Sequence, residues 1–296
     1  MTTPSLIGIT GITGTLGTEL TNQLLTLKNV KIIGISRDEY KQALFPYKVD
    51  SRVELHIGDV RDIRSLAPLE KCNYIFHLAS LKHVDLGEKF PREFCKTIID
   101  GTQNVYDISE QGYSTKLITV STDKAVYASS VYGAAKFISE RITLQNPKNA
   151  VVRYGNVLNS RGSLIEIMYK KTKAGQPIGI TDPGMTRFWV SIEAIAAYII
   201  KAAFGQLKGC TGGGVYVPNM RAASLLRVVR VFTKVMGGGT KVILTGKRPG
   251  ERMHEISSFE GEKSEKAIYS SHVTQISEKD LEVIIRREIQ KYERKS

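Results

Sequence analysis

Cysteine is scarce in this chain. The three residues, Cys72, Cys95 and Cys210, are odd in number and show no CxxC spacing, which argues against a disulfide framework and a structural zinc site. The five histidines form no HxxxH or HExxH pattern, so no metal site is expected. Long apolar runs are also missing. The longest, Ala194 to Phe204, is interrupted by Lys201 and falls short of the roughly 20 residues a spanning helix needs. No run of five or more basic residues concentrates the net charge of +13. The densest stretch, Arg286 and Arg287 through Lys291, Arg294 and Lys295, is interleaved with Glu288 and Glu293. It reads as a solvated helix face ahead of an interaction tail. A basic balance of this kind suits a polyanionic small ligand, and neither a nucleic acid nor a membrane is expected as partner. No signal peptide is read, because the chain enters an apolar strand at once. The expectation is a soluble protein of a reducing compartment, the cytoplasm.

What is present is alternation. Short apolar runs at Leu6–Ile9, Lys31–Ile35, Val53–Ile57, Tyr74–Leu78, Lys116–Val120 and Val151–Tyr154 read as strands. Between them lie patterns of helical period at Thr18–Leu27, Thr97–Glu110 and Val131–Leu144. This predicts an α/β fold, a doubly wound parallel Rossmann sheet covered on both faces, with a smaller C-terminal substrate-binding lobe. Beyond Gly155 glycine and proline punctuate the chain at Gly175, Pro177, Pro183-Gly184, Gly212 to Gly214, Gly237 to Gly239 and Pro249-Gly250. One helix, about Ile192 to Phe204, is expected to return to the sheet, and the rest reads as a lobe built on long loops. The division expected is 1–155, joined by 190–208, for the nucleotide domain, and 156–189 with 209–296 for the substrate lobe.

The first strand runs into Thr10-Gly11-Ile12-Thr13-Gly14-Thr15-Leu16-Gly17. Gly11 suits a tight turn, Gly14 a close backbone approach to a pyrophosphate, and Gly17 close packing of helix on strand. The helix that follows presents free N–H groups to phosphate. At the end of the second strand an NAD enzyme usually places an acid for the ribose diol. This chain has Ser36-Arg37-Asp38, with Lys41 following. Arg37 can stack on adenine and pair with a 2′-phosphate, Lys41 adds charge, and Asp38 sits one residue late, so NADP is expected over NAD. After the third strand, Asp59, followed by Val60, is placed either to bond the adenine amino group or simply to start a loop.

Tyr132 and Lys136 lie four apart on a predicted helix and share a face. A lysine cation near the phenol favours phenolate, which can take a hydroxyl proton while hydride leaves the same carbon. The fifth strand ends in Ser121-Thr122-Asp123-Lys124. Thr122 can hold the reacting oxygen. Asp123 and Lys124 either form a structural ion pair or cap, or act as acid and base in removing water, with Lys124 taking a proton beside a carbonyl and Asp123 protonating the departing hydroxyl.

These motifs together resemble a known family. The glycine-rich turn, His77-Leu78-Ala79-Ser80-Leu81-Lys82-His83-Val84, Ser121 to Val126, Tyr132 to Lys136, Arg153 to Val157, Ser160 to Ser163, Met185 to Trp189 and Arg248 to Glu251 are similar to the UDP-N-acetylglucosamine 4,6-dehydratases of the C5-inverting, soluble kind. The resemblance implies an NADP-dependent lyase acting on a UDP-sugar, with no net redox change and with Tyr132, Lys136, Thr122, Asp123 and Lys124 as its catalytic set. It implies cofactor contacts from Leu78, Ala79, Ser80 and Lys82, from Tyr132 and Lys136 themselves, and from Val157 and Arg161 near the nicotinamide. It also implies substrate contacts from Lys82, His83, Asn156 and Arg187, with Arg248 and Glu251 towards the uridine, and a homo-oligomer. The chain departs from the family pattern at Ser80, Asp85, Ile98 and the segment Ala125 to Val131. Two rival readings stand beside it: another UDP-sugar epimerase or reductase, which needs Tyr132 and Lys136 but not Asp123 or Lys124, and a non-catalytic NADP-sensing or RNA-binding module suggested by the net charge.

Overall fold

The computed structural model describes residues 5–112, 115–158, 160–207, 213–260, 262 and 268–293; Cys210, Gly212, Arg294 and Lys295 lie outside the described residues. In chain order the first stretch gives β1 (Ser5–Thr10), α1 (Thr15–Leu24), β2 (Val30–Ser36), α2 (Glu39–Ala43), β3 (Val53–Ile57), β4 (Tyr74–His77), α3 (Val84–Lys89), α4 (Pro91–Cys95), α5 (Gly101–Gln111), β5 (Lys116–Thr122), α6 (Val131–Thr143) and β6 (Ala150–Tyr154). Then follow β7 (Asn156–Leu158), α7 (Leu164–Lys173), β8 (Ile178–Ile180), β9 (Thr186–Ser191), α8 (Ile192–Ala203) and β10 (Gly214–Tyr216). The chain ends through β11 (Arg221–Ser224), α9 (Leu225–Val235), β12 (Val242–Leu244) and α10 (Glu278–Glu293). Packing divides it into two units, Met1–Arg153 with Glu193–Pro218, and Tyr154–Ile192 with Asn219–Ser296.

The first unit is the α/β Rossmann-like body. Its strands form a parallel sheet in the order β10-β6-β5-β4-β1-β2-β3. The chain winds outward through β2 and β3, then crosses back to lay β4 on the other side of β1. The order therefore reverses between β1 and β4, which is where open sheets of this kind receive ligands, at the carboxyl ends of the strands. The inner strands are short, branched and buried: Ile7, Ile9, Ile32, Ile35, Ile75, Leu117, Ile118, Val151 and Val152 are almost wholly removed from water. α8 is held by its C-terminal end, where the Lys116 ammonium donates to the Ala202 and Ala203 carbonyls at 3.3 and 3.1 Å.

Two features differ from the sequence pattern. The helix expected over Thr97–Glu110 is broken at its start by a π turn, Lys96–Asp100, between α4 and α5. The Thr102 hydroxyl donates to the Ile98 carbonyl at 2.5 Å and competes with the backbone ladder at that turn. The second difference is in the second unit, where long loops were expected and α7 and α9 are found, while α10 covers the stretch from Arg286 that reads as a helix face. That unit also carries a three-stranded sheet in the order β11-β9-β7 and a two-stranded pair, β12-β8. Its own core joins Ile165, Met168, Trp189, Val228, Phe232 and Ile285.

Candidate active site

The turn after β1 is shaped by contacts that leave no room for side chains. Gly11 takes φ +72, and a Cβ there would meet the Ala79 amide nitrogen at 2.9 Å. A Cβ on Gly17 would lie 2.6 Å from the Gly11 carbonyl oxygen and 2.7 Å from the Ile12 carbonyl carbon, so helix and strand close onto each other there. Gly14 is the N-cap of α1, and no side chain caps that helix. Thr13, Thr15 and Leu16 surround it, half-buried. A ten-residue helix with an N-terminus not capped by a side chain, entered through a turn that has glycine at positions 11 and 14, is a fit for a pyrophosphate.

Behind this turn runs a buried polar chain that the sequence did not reveal. Thr10 Oγ1 lies 2.8 Å from His77 Nδ1, and His77 Nε2 lies 3.2 Å from Thr102 Oγ1. Thr102 donates to the Ile98 carbonyl, so it accepts from Nε2–H, and His77 Nδ1 accepts from the Thr10 hydroxyl. Thr10 Oγ1 in turn receives the Leu78 and Ala79 amides at 3.2 and 3.3 Å. Burial, and then the Lys136 charge, hold the imidazole neutral, with its pKa pushed down to about 3. The motif residues Leu78 and Ala79 are thus tied to the end of β1, while Ser80 donates to the Leu81 carbonyl at 2.9 Å.

At the end of β2 Ser36 is buried, held by the Gln42 amide at 3.0 Å. Asp38 is the N-cap of α2: Oδ1 accepts the Lys41 amide at 3.0 Å and Oδ2 faces the Lys41 ammonium at 2.5 Å. The Lys41 side-chain and backbone hydrogen bonds hold the Asp38 carboxyl below its ordinary value. Arg37 is half exposed and lies 3.6 Å from Asp59. Burial opposes ionisation of Asp59, but hydrogen bonds from the Arg61 side chain and amide, with the charges of Arg37 and Arg61, pull it below the usual range. Val60 is buried, its carbonyl taken by Asn104 at 2.8 Å. Lys82 and His83 are exposed just before α3.

The end of β5 and the start of α6 carry the residues from which the chemistry is expected. Thr122 caps a 3₁₀ turn, Asp123–Ala125. Asp123 is fully buried, and its Oδ1 receives both the Thr122 hydroxyl and the Lys124 ammonium at 3.0 Å. Lys124 remains partly open to solvent. α6 starts at the Ser130 cap, which accepts the Gly133 amide at 3.1 Å. It brings Tyr132 and Lys136 to one buried face. The Tyr132 ring meets Phe94 edge-on, centroids 6.4 Å apart. Lys136 donates to the Val120 carbonyl at 2.7 Å, and burial lowers its pKa to about 8, against the upward pull of Glu140. Tyr127, in the loop between the two sets, takes φ +46, a left-handed conformation costing about 1 kcal/mol.

The second unit holds the other expected residues. Asn156 and Val157 begin β7, which pairs with β9. Arg161 is exposed ahead of α7. Arg187 on β9 is buried: Nη1 donates to the Thr186 and Met253 carbonyls at 2.8 and 3.2 Å, and Nε lies 3.6 Å from buried Glu255. Arg248 and Glu251 form a tight turn in which the Arg248 amide donates to Glu251 Oε2 at 3.0 Å. Among the described residues no group of three or more metal-ligating side chains occurs, and no helix is long and apolar enough to cross a membrane.

Comparison with known proteins converges on one family. The model of the polysaccharide biosynthesis protein family matches residues 7–277. The inverting UDP-N-acetylglucosamine 4,6-dehydratase of Campylobacter jejuni is 34% identical over 260 residues, 84% of this chain and 75% of that one. The UDP-glucose 4-epimerase of Rickettsia rickettsii is 31% identical over 273 residues, 87% of this chain and 79% of that one. Among solved structures, Pen from Bacillus thuringiensis superposes with a TM-score of 0.85 at 28% identity, covering 96% of this chain and 98% of that one.

Proposed function

The chain belongs to the polysaccharide biosynthesis protein family, and from that premise we propose that it carries out the NADP-dependent 4,6-dehydration of UDP-N-acetylglucosamine with inversion at C5. The observation that carries this reading is the Asp123–Lys124 pair at the end of β5, joined to Thr122 and followed by Tyr132 and Lys136 on α6. An oxidation at C4 needs the tyrosine and the lysine alone. Elimination of water needs in addition a base for the C5 proton and an acid for the C6 oxygen. Lys124 and Asp123 are joined by a 3.0 Å hydrogen bond, so moving one proton from ammonium to carboxylate makes a neutral amine and a neutral acid, the two forms elimination uses.

Gly11, Gly14 and Gly17, with the α1 N-terminus, would hold the cofactor pyrophosphate, Asp59 the adenine, and Arg37 and Lys41 the 2′-phosphate. Asp38 is engaged as cap and partner of Lys41, which supports NADP over NAD. Bound NADP would take hydride from C4 and return it to C6. Tyr132, with Lys136 on its helix face, takes the C4 hydroxyl proton while Thr122 holds that oxygen. Lys124 then removes the C5 proton and Asp123 protonates the C6 hydroxyl as it leaves. Return of a proton to the opposite face of C5 inverts that centre, and the product is UDP-2-acetamido-2,6-dideoxy-L-arabino-hexos-4-ulose. Lys82, His83, Asn156, Arg187, Arg248 and Glu251 are assigned to the substrate in this reading, and the protein to a cytoplasmic homo-oligomer.

The Rickettsia relative favours a second reading, C4 epimerisation, for which Asp123 and Lys124 are dispensable. Proton NMR of UDP-N-acetylglucosamine incubated with the enzyme in D2O, without reductant, separates the two. A new 6-methyl signal with deuterium at C5 is expected, and the ring couplings report the C5 configuration. Conversion to the galacto isomer with C6 unchanged would replace dehydration by epimerisation. An unaltered spectrum with cofactor bound would remove this substrate.

A further inference from the structure

Glu140 stands on α6 one turn after Lys136, and it is among the most deeply buried carboxylates described. Its Oε2 accepts from Arg153 Nη2 at 2.7 Å, and its Oε1 from Arg153 Nε at 3.0 Å and from the Ser121 hydroxyl at 2.5 Å. Arg153 is on β6 and is 1% exposed. Ser121 lies between Val120, whose carbonyl accepts from Lys136, and Thr122. Two side chains of α6 therefore grip consecutive residues of β5 immediately before its reactive end. A fork-shaped guanidinium fixes the carboxylate from the far side. Nothing in the reaction proposed above uses Glu140 directly.

The other acidic groups around α6 have partners other than Lys136 or lie in solvent. Asp123 pairs with Lys124 in the 3₁₀ turn. Glu88 on α3 accepts the Val131 amide, Glu93 on α4 pairs with Arg61, and Glu110 on α5 accepts from Asn146. Asp100 in the π turn is exposed. His77 on β4 reaches Lys136 electrostatically but is neutral in its hydrogen-bonded chain. Glu140 is then the negative charge that acts on Lys136, against burial that disfavours the ammonium.

We infer that Glu140 is a positioning residue for the Tyr132–Lys136 pair: clamped by Arg153 and Ser121, its carboxylate keeps the Lys136 ammonium charged beside the phenol and locks the end of β5 against α6. The inference rests on the reading of Tyr132 as the base. Removing the carboxylate makes the lysine easier to discharge, and an uncharged lysine stabilises phenolate less, so the Tyr132 titration moves upward.

The test is a titration of Tyr132 in the full chain with NADP added, read from ring-carbon NMR signals of labelled tyrosine and assigned by the signal that Tyr132→Phe loses among the 13 tyrosines. Glu140→Gln is expected to raise the Tyr132 midpoint by about one pH unit and to carry the acidic limb of kcat/KM with it. Ser121→Ala, which keeps every charge, is expected to lower kcat several-fold and leave the midpoint in place. Because Glu140→Gln leaves Arg153 buried and uncompensated, the pair Glu140→Gln with Arg153→Met is measured alongside, with a smaller shift in the same direction expected. A Tyr132 midpoint unmoved in both carboxylate variants overturns the inference. The titration needs no sugar, so a shifted midpoint in a protein that does not dehydrate UDP-N-acetylglucosamine would uphold Glu140 and remove only the proposed reaction.

Discussion

Gly133 follows Tyr132 at the point where α6 crosses the backbone of the 3₁₀ turn. A Cβ at this position would lie far inside van der Waals contact with the Lys124 carbonyl oxygen and 3.1 Å from its carbon. Neither atom belongs to a side chain that could rotate away. Gly133→Ala must therefore push the Lys124 backbone from the helix by about 1 Å, or tilt the first turn of α6. Overpacking against backbone costs about 1–3 kcal/mol. At roughly 2–4 °C per kcal/mol the melting point should fall by several degrees. The catalytic loss should be larger than the stability loss. A misplacement of about 1 Å between reacting groups costs on the order of 10²-fold in rate. The glycine-rich turn lies on other elements, so NADP affinity should stay within about twofold of the parent. Thermal unfolding by circular dichroism, NADP titration and turnover together separate these effects. A variant that turns over within threefold of the parent, with an unchanged melting point, would refute the argument that the close approach of α6 sets the geometry.

Three further outcomes follow from the same geometry. Tyr132→Phe should keep the fold, since the ring contact with Phe94 survives, and lower kcat by about 10²–10⁴-fold; near-normal turnover would remove Tyr132 as the base. Arg37→Ala should weaken NADP about 10- to 100-fold and leave NAD binding nearly unchanged, as calorimetry can read; equal losses for both would exclude a 2′-phosphate contact. His77, neutral with its folded pKa near 3 against 6.5 when unfolded, binds fewer protons folded than unfolded between those values, so stability rises with pH across that window. Its share of the loss from pH 6.5 to pH 4.5 is about 2 kcal/mol. Urea midpoints at the two pH values should therefore differ less in His77→Asn than in the parent, and an equal difference would count against a buried neutral imidazole.

The sheet was largely legible in the sequence because its strands are short apolar runs set between helical patterns, the inner ones buried on both faces. Val53–Ile57 was read to the residue, and the neighbouring strands differed at their ends by one or two residues. The second unit was harder for physical reasons. α9 reads LLRVVRVFTKV, whose β-branched residues suit a strand by local preference, while their spacing puts Val228, Val229 and Phe232 on one buried helical face behind the Ser224 cap. α10 was legible in part: the stretch from Arg286 reads as a solvated helix face, but the helix buries Glu288 together with Leu281, Ile285 and Ile289. At the site, Tyr132 with Lys136 and Asp123 with Lys124 were legible because each pair is local. Thr10 with His77, 67 residues apart, and Glu140 with Arg153 were not, since buried polar contacts between separate strands and helices leave no periodic trace. The partners of Arg187 were equally hidden: it is buried against Glu255, 68 residues on, and against backbone carbonyls.

The last strand of the large sheet arrives late. β10 pairs with β6 through Gly214, Val215 and Tyr216, yet the chain between Arg153 and Glu193 is spent in the other unit. A nascent chain released as far as residue 153 would present Ala150 to Val152 as an open, apolar edge, with α8 not yet made. The first unit cannot close until more than sixty further residues have left the ribosome. The two units are therefore interleaved in the order of synthesis, and a break introduced anywhere between them leaves an edge that invites pairing with a second chain.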